Sequence, residues 1–243
     1  MYQKQLFILI VNVKMGLFYF CNYKGINILK NLEIKLSLPM ELNDPFEFYP
    51  YDENDSTDHF EIYQKAGYGL VYYLSMCSDY KNPRVWSNYA DNHNGFMIEF
   101  DTDSEPFNKF KSNGKMFDID YETNERVHVS LLNEDQNSYF CELAKRKGSD
   151  WKEEKEVRFF LASCWIQEMG LSIRDTIINN KIIFLMKISK ESILSVTYGY
   201  RMPINSRVAI AYLVNKLKSK IKIFEALPDG NSFRSTRKQL KKR

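Results

Sequence analysis

The sequence is poor in the residues that build metal and disulfide sites. Its 243 residues include four cysteines and three histidines. No two cysteines form a C-x-x-C pair, and no two histidines have the H-x-x-x-H spacing of a helical zinc site. We therefore expect no metal site built on histidine or cysteine, and the scattered cysteines are typical of a reducing cytoplasm.

Common phosphate-binding and hydrolase motifs are also missing. The sequence has no G-x-x-x-x-G-K-[ST], no G-x-G-x-x-G after a strand and no G-x-S-x-G. P-loop, Rossmann and nucleophile-elbow enzymes are therefore not expected. Long linkers rich in Gly, Ser or Pro and internal repeats are absent as well, which favours one domain.

No hydrophobic run is long enough to cross a bilayer. The run LFILIVNV at residues 6–13 is too short to span and lacks a small-residue cleavage site, so we predict a buried first strand and no membrane association. Met15 offers a second start, which makes residues 1–14 a candidate upstream extension. A cytoplasmic protein is expected.

The C-terminus carries a local excess of positive charge. The formal net charge is +3, yet residues 234–243 (RSTRKQLKKR) carry six basic residues and no acidic one. Subtracting these six charges from +3 leaves −3 for the rest. We predict a single domain over residues 1–233 and a basic tail over 234–243. The tail is either a disordered solubilising segment or an arm that contacts nucleic acid.

The composition does suit a folded core, at 44% hydrophobic and 15% aromatic residues. Predicted strands outnumber helices and do not alternate with them, which favours an α+β fold over a doubly wound one. Strands are predicted near residues 17–20, 33–38, 71–78, 96–101, 115–121, 151–161, 181–188, 195–200 and 220–226. Helices are predicted near residues 26–32, 59–66, 84–93, 131–147 and 205–218.

Two polar stretches are denser in chemistry than a core requires. In LNDPFE, the residues Asn43, Asp44 and Glu47 surround a turn, either as a loop staple bonded to nearby amides or as part of a site. Further on, Ser78 ends a strand and Trp86, Tyr89 and His93 follow at helical spacing. These three share a predicted helix face and serve either core packing or ligand binding.

The stretch WKEEKEVRFFL, residues 151–161, is the third. Read as a strand, it places Glu154, Glu156 and Arg158 on one face. The row is either a structural set of ion pairs or the lining of a cleft. A divalent ion held by carboxylates, with Asp44, Glu47 and Asp91 joining the two glutamates, is the basis of an alternative metal-dependent nuclease or phosphodiesterase.

These stretches resemble a bacterial family known as domain of unknown function 2971. Its elements look like an aromatic first motif near LFYF, then LNDPFE, then W-S-x-Y-A-x-x-H-x-G, then W-x-x-E-x-E-x-R. The chain has these as LNDPFE at 42–47, WSNYADNHNG at 86–95 and WKEEKEVR at 151–158. The family name implies no function.

The order of elements also resembles, more distantly, that of ADP-ribosyltransferases. This resemblance implies a mixed, strongly bent or split sheet flanked by helices, and NAD as substrate. It assigns the first-strand anchor to Tyr19, where the transferases usually carry His or Arg. It further assigns a strand-ending Ser78, the helix residue Tyr89, and the late pair Glu154 and Glu156.

The chemistry suits these residue types. A carboxylate that grips a ribose hydroxyl stabilises the positive charge developing on the sugar, a role we assign to Glu156. Glu154 would orient or deprotonate the acceptor. The remaining assignments are stacking on nicotinamide for Trp86 and Tyr89, support of Glu156 for Ser78, and cofactor phosphate or carboxylate pairing for Arg158.

The leading hypothesis is an NAD-dependent ADP-ribosyltransferase-like enzyme, acting as a bacterial toxin or antiphage effector on a macromolecule. The acceptor would be nucleic acid or protein, with the basic tail favouring nucleic acid. A toxin would require a neutralising antitoxin. The alternatives are the metal-dependent nuclease and a non-catalytic binding module, in which the charged row is fully paired and closed to solvent.

Overall fold

The computed structural model describes residues 16–44, 46–48, 50, 71–122, 126–128 and 136–240. Its strands are β1 (Leu17–Cys21), β2 (Glu33–Leu36), β3 (Val71–Cys77), β4 (Phe96–Phe100), β5 (Met116–Asp118), β6 (Glu156–Ala162), β7 (Ile173–Ile178), β8 (Lys181–Lys187), β9 (Ile193–Tyr198), β10 (Lys222–Pro228) and β11 (Ser235–Gln239). Its helices are α1 (Ile26–Asn31), α2 (Pro83–Tyr89), α3 (Phe107–Ser112), α4 (Gln136–Ala144), α5 (Trp165–Glu168) and α6 (Ile204–Lys216). The predicted strand at 6–13 and helix at 59–66 lie outside the described residues.

The helix starts follow from local chemistry. Pro83 begins α2 at a position that needs no amide donor, and the Asn82 side chain caps the helix by accepting a hydrogen bond from the Arg84 amide at 2.9 Å. α6 begins at Ile204 directly after Pro203 and ends at Lys216, close to the predicted 205–218.

Two sheets organise the described part of the chain, which confirms the α+β prediction. The larger is mixed and has the strand order β11-β10-β9-β4-β1-β3-β6-β5, and the smaller is antiparallel with the order β2-β8-β7. Only β9 and β10 run parallel within the larger sheet, and α6 provides the crossover between them.

The larger sheet is split beside β3. β1 is registered with β3 at one pair, Phe18 opposite Cys77, while Ser37 at the end of β2 bonds to Tyr73 on the same edge of β3. Backbone groups point alternately to the two edges of a strand, so those of Ser75 face the gap between these two partners. The gap is the opening on which the candidate site is built.

The two faces of the larger sheet pack differently. One face forms the main core with α1, α3, α6 and the smaller sheet. The other carries two separate apolar clusters, one under α2 around Phe20 and Trp86, the other under α4 around Tyr73 and Phe160. The ionisable residues of β6 lie on this second face, between the two clusters.

The C-terminal residues differ from the predicted tail. Residues 235–239 form β11, which pairs antiparallel with β10. Arg237 donates to Glu99 at 2.9 Å and its guanidinium lies 4.5 Å from the ring centroid of Tyr80. A half-buried carboxylate and an aromatic ring thus give Arg237 folded partners that charge counting alone does not reveal. Residues 241–243 lie outside the described residues.

Among the helices of the described residues, none is long and apolar enough to cross a membrane.

Candidate functional site

The strand prediction for WKEEKEVRFFL is wrong in its first half. Residues Ser149–Glu154 form a 3-10 helix, Lys155 follows in the left-handed conformation with φ of 47°, and β6 begins only at Glu156. Glu154 therefore does not share the strand face of Glu156 by a two-residue period. The tight turn at Lys155 nevertheless brings the two carboxylates to one cation, Lys147.

Arg158 is the centre of a buried ionic cluster. Its Nη2 lies 2.6 Å from Glu47 Oε2, its Nε donates to Glu156 Oε1 at 2.8 Å, and its Nη1 donates to the Ala144 carbonyl at 3.0 Å. The side chain is 1% exposed. Its donors are thus occupied by protein groups from three separate parts of the chain.

Lys147 is the second cation of the cluster. Its Nζ lies 2.8 Å from an oxygen of Glu47, 2.8 Å from Glu154 and 3.2 Å from Glu156. The ammonium also lies 4.7 Å from the ring centroid of Trp151. Three carboxylates thus meet two cations, so the ionised cluster carries one net negative charge.

Polar groups extend the cluster towards the gap in the sheet. Tyr89 donates its hydroxyl to Glu154 Oε1 at 2.5 Å, and Asn43 Nδ2 donates to the Tyr89 hydroxyl. Ser75 lies beside the Glu156 carboxylate and helps to lower the pKa of Glu156. Tyr89 therefore fixes the second oxygen of Glu154, whose first oxygen is held by Lys147.

In this cluster, neighbouring opposite charges outweigh the effect of burial on the pKa values of Glu156 and Lys147. Burial acts to raise the pKa of Glu156, but Arg158 and Lys147 outweigh it and lower this pKa to about 2. Burial acts to lower the pKa of Lys147, yet Glu156, Glu47 and Glu154 raise it above its ordinary value. Burial and Glu154 raise the pKa of Tyr89. Near neutral pH, Glu156 is ionised, Lys147 is charged and Tyr89 keeps its proton.

A pocket of about 200 Å³ opens at the split beside β3. The cluster contributes Glu154, Glu156 and Arg158 to its lining, and α2 contributes Tyr89. The other lining residues are Phe18, Tyr19, Phe20, Lys35, Ser37, Glu41, Leu42, Asn43, Leu74, Ser75, Met76, Cys77 and Val85. Residues far apart in sequence thus converge on one cavity that combines aromatic walls with a charged end.

Other residues selected from the sequence lie around this pocket without lining it. Trp86 is buried, donates its Nε1 to the Tyr80 carbonyl at 2.8 Å and stacks on His93 at 5.8 Å between ring centroids. Ser78 donates its hydroxyl to the Lys155 carbonyl. Trp86 and His93 are therefore packing partners, and Ser78 ties β3 to the turn before β6.

The LNDPFE residues divide between two roles. Asp44 accepts a hydrogen bond from the Phe46 amide at 2.9 Å, as expected of a loop staple, whereas Glu47 belongs to the ionic cluster. Asn43 reaches the pocket through Tyr89. Tyr19 borders the pocket from β1, but its ring packs with the main core and burial raises its pKa.

Sequence reasoning missed Ser75 and Lys147. Ser75 is an exposed residue in an otherwise buried strand, opposite Arg158 in the register of β3 and β6. The single serine within the apolar strand VYYLSMC indicated a polar position facing the site, but Ser78 was selected instead. The need for a cation such as Lys147 could be inferred indirectly, because one arginine cannot neutralise three buried carboxylates.

The lowered pKa of Glu156 predicts a defined pH dependence. Its contribution to stability is complete above the ordinary value of 4.5 and is lost as the pH falls towards about 2. The difference in free energy of unfolding between wild type and Glu156→Gln should therefore be constant above about pH 4.5 and shrink below it. Denaturant titrations at several pH values measure this, and a difference that stays flat down to about pH 2 would contradict it.

A divalent metal is not favoured at this cluster. Lys147 Nζ already lies among the three carboxylates, in the position that an oxygen-ligated ion would need. Within the described part of the chain, no group of three or more His, Cys, Asp and Glu side chains is arranged to hold a metal ion.

Comparison with known families gives one match. The model described as "Protein of unknown function (DUF2971)" matches residues 85–159, which include WSNYADNHNG and WKEEKEVR but not LNDPFE. The match supports the family resemblance over that segment. No curated protein and no solved structure matches the chain. The resemblance to ADP-ribosyltransferases therefore stays a hypothesis.

Proposed function

We propose that the chain is an NAD-dependent ADP-ribosyltransferase-like enzyme that modifies a macromolecule, in the manner of a bacterial toxin or antiphage effector. The observation that carries the proposal is the convergence of Ser75, Tyr89, Glu154 and Glu156 on the pocket beside β3. Side chains from two strands, a helix and a 3-10 helix need no common cavity for packing alone.

The size of the pocket supports binding of part of a dinucleotide. At about 200 Å³ it is smaller than the range of about 300–1,000 Å³ that encloses drug-sized ligands. A ring and its sugar would enter, and the rest of NAD would lie outside. Lys35 borders this pocket, is 38% exposed and pairs with Glu41 at 2.8 Å, so a phosphate at the entrance would compete with that carboxylate for the ammonium group.

The charge of the pocket supports chemistry that develops a positive centre. The cluster has one negative charge in excess, and its two pocket-facing carboxylates are those of Glu154 and Glu156. A fixed negative charge in a partly dry site stabilises a cationic sugar more than it stabilises a neutral one. Breaking the bond between nicotinamide and ribose creates such a sugar.

The roles follow from the contacts. Glu156 is held by Arg158 and Lys147, which fixes its orientation, and each carboxylate oxygen can accept a further donor such as a ribose hydroxyl. Glu154 is held on both oxygens by Lys147 and Tyr89 and would orient the acceptor. Tyr89 and Phe20 offer aromatic surface to the nicotinamide.

A non-catalytic binding module is the second candidate. It is favoured by the pairing of the cluster, whose five charged side chains are each at most 7% exposed. Such a module would bind NAD or a related ligand without breaking it. Binding and turnover must therefore be measured separately.

The proposal predicts that NAD binding depends on free space beside Ser75. The Ser75→Tyr variant should fill the pocket and weaken NAD binding at least tenfold, since Ser75 is exposed and a larger side chain there enters the cavity. Calorimetric titration with NAD measures the affinity. Ser112→Tyr, on the exposed face of α3, is the control and should bind as wild type does. Equal affinity in all three proteins would place any NAD site elsewhere.

A further inference from the structure

A long segment of the chain carries positive charge only. Between Glu191 and Glu225 there is no acidic residue, and six basic residues occur. Four of these six are lysines in the seven-residue stretch KLKSKIK: Lys216, Lys218, Lys220 and Lys222, here called the lysine patch. Residues 1–32 and 230–243 also lack acidic residues, and the segment between Glu191 and Glu225 is a third such stretch.

The lysine patch is built to face solvent. Each of its lysines is exposed, whereas the intervening Leu217 and Ser219 are half-buried and Ile221 is buried. The patch runs from the end of α6 into β10. Seven residues extend over about 20 Å at most, so four ammonium groups are concentrated on a short length of surface.

The ammonium groups of the patch are free to take an external partner. Within the described ranges, no ion pair or side-chain hydrogen bond involves the ammonium groups of these four lysines, although the Lys218 backbone amide donates to the Asn215 carbonyl. Three acidic residues at the same end of the sheet are paired with other lysines: Asp103 with Lys111, Glu105 with Lys109, and Glu191 with Lys190. The positive charge of the patch is therefore uncompensated.

An aromatic side chain adjoins the patch. Tyr212 is 67% exposed and lies one helical turn before Lys216, on the same side of α6. Exposed aromatic rings beside cations are how proteins stack the bases of single-stranded nucleic acid without sequence preference. Between the lysines, Leu217 is half-buried and Ile221 is buried. Val208 and Ile204, one and two turns before Tyr212 on α6, are exposed, so binding to lipid vesicles is measured beside binding to nucleic acid.

We propose that the lysine patch and Tyr212 bind single-stranded nucleic acid, the lysines through its phosphates and the tyrosine by stacking on a base. This surface is separate from the pocket beside β3, because none of its residues lines that pocket. The inference therefore stands or fails independently of NAD.

The test uses a labelled single-stranded DNA of about 16 nucleotides and fluorescence anisotropy. Replacing all four patch lysines with glutamine should weaken binding at least tenfold. It should also reduce the slope of log affinity against log salt by about 3, at about 0.7 for each lost phosphate contact. Tyr212→Ala should weaken binding to the single strand about tenfold and leave binding to the duplex of the same sequence unchanged.

The control changes the same charge elsewhere. Lys24, Lys81, Lys152 and Lys181 are exposed lysines outside the patch, and their joint replacement with glutamine should change affinity less than twofold. An equal loss in this control would assign binding to net charge and overturn the proposal. The proposal would also be overturned if the wild-type protein did not bind the oligonucleotide at about 50 mM salt. Binding of wild type to vesicles containing phosphatidylserine, without binding to the oligonucleotide, would overturn it too.

Discussion

Replacing Arg158 with methionine is expected to lower the free energy of unfolding by about 3–5 kcal/mol. Arg158 is the only group in the cluster that bonds Glu47, Glu156 and the Ala144 carbonyl together. Methionine fills similar space but leaves three buried carboxylates, those of Glu47, Glu154 and Glu156, with Lys147 as their remaining cation in the cluster. The large loss reflects the cost of unpaired buried charge more than the net value of the ion pair. Denaturant unfolding at neutral pH measures it.

A surface ion pair provides the control. Arg174 lies 2.6 Å from Glu33 on the smaller sheet and is half exposed, so Arg174→Met should leave the unfolding midpoint almost unchanged. Adding Glu156→Gln to Arg158→Met should restore part of the lost stability, because it removes one of the uncompensated charges. Similar losses in Arg158→Met and Arg174→Met would contradict the buried-cluster account.

Replacing Glu156 with glutamine is expected to slow nicotinamide release from NAD by about 10²–10³-fold, the usual effect of removing one transition-state contact. The Glu156→Gln replacement should lower kcat more than it changes KM, because the charge on the sugar develops only during the reaction. Glu154→Gln should mainly reduce transfer to the macromolecular acceptor and leave hydrolytic release of nicotinamide closer to wild type. Assays of nicotinamide and of label transfer separate the two steps.

Stability must be matched before these rates are compared. In both Glu154→Gln and Glu156→Gln, the new side chain has nearly the same shape as glutamate. Thermal melts establish how much of each variant is folded at the assay temperature. Glu33→Gln, which alters a carboxylate outside the pocket, should release nicotinamide at the wild-type rate. If Glu154→Gln and Glu156→Gln changed both steps equally, the division of roles would be wrong.

The sequence predicts the fold where patterns are local. The buried strands, the proline at the start of α2 and the apolar spacing of α6 are encoded by neighbours in the chain, and these elements form close to the predicted residues. β11 was missed because its stability comes from β10, Glu99 and Tyr80, which are distant in sequence. A basic segment resembles a tail until such partners are known.

The site was predictable in its residue types but not in its geometry. Glu154, Glu156, Arg158, Tyr89 and Asn43 were selected from motifs, and the folded chain brings all five to one pocket. Two features of the site were not predicted. The left-handed conformation of Lys155 breaks the strand period, and Lys147 reaches the cluster from the loop after α4. Ser78 was chosen as the last serine of a strand, whereas register with Arg158 selects Ser75.

The most direct test of the central hypothesis is the rate of nicotinamide release from NAD by the purified full-length chain, with and without candidate nucleic-acid and protein acceptors. The account predicts release by wild type and a loss of about 10²-fold or more in Glu156→Gln that is equally well folded. The contradicting result is no release with any acceptor from folded wild type, or an undiminished rate in Glu156→Gln.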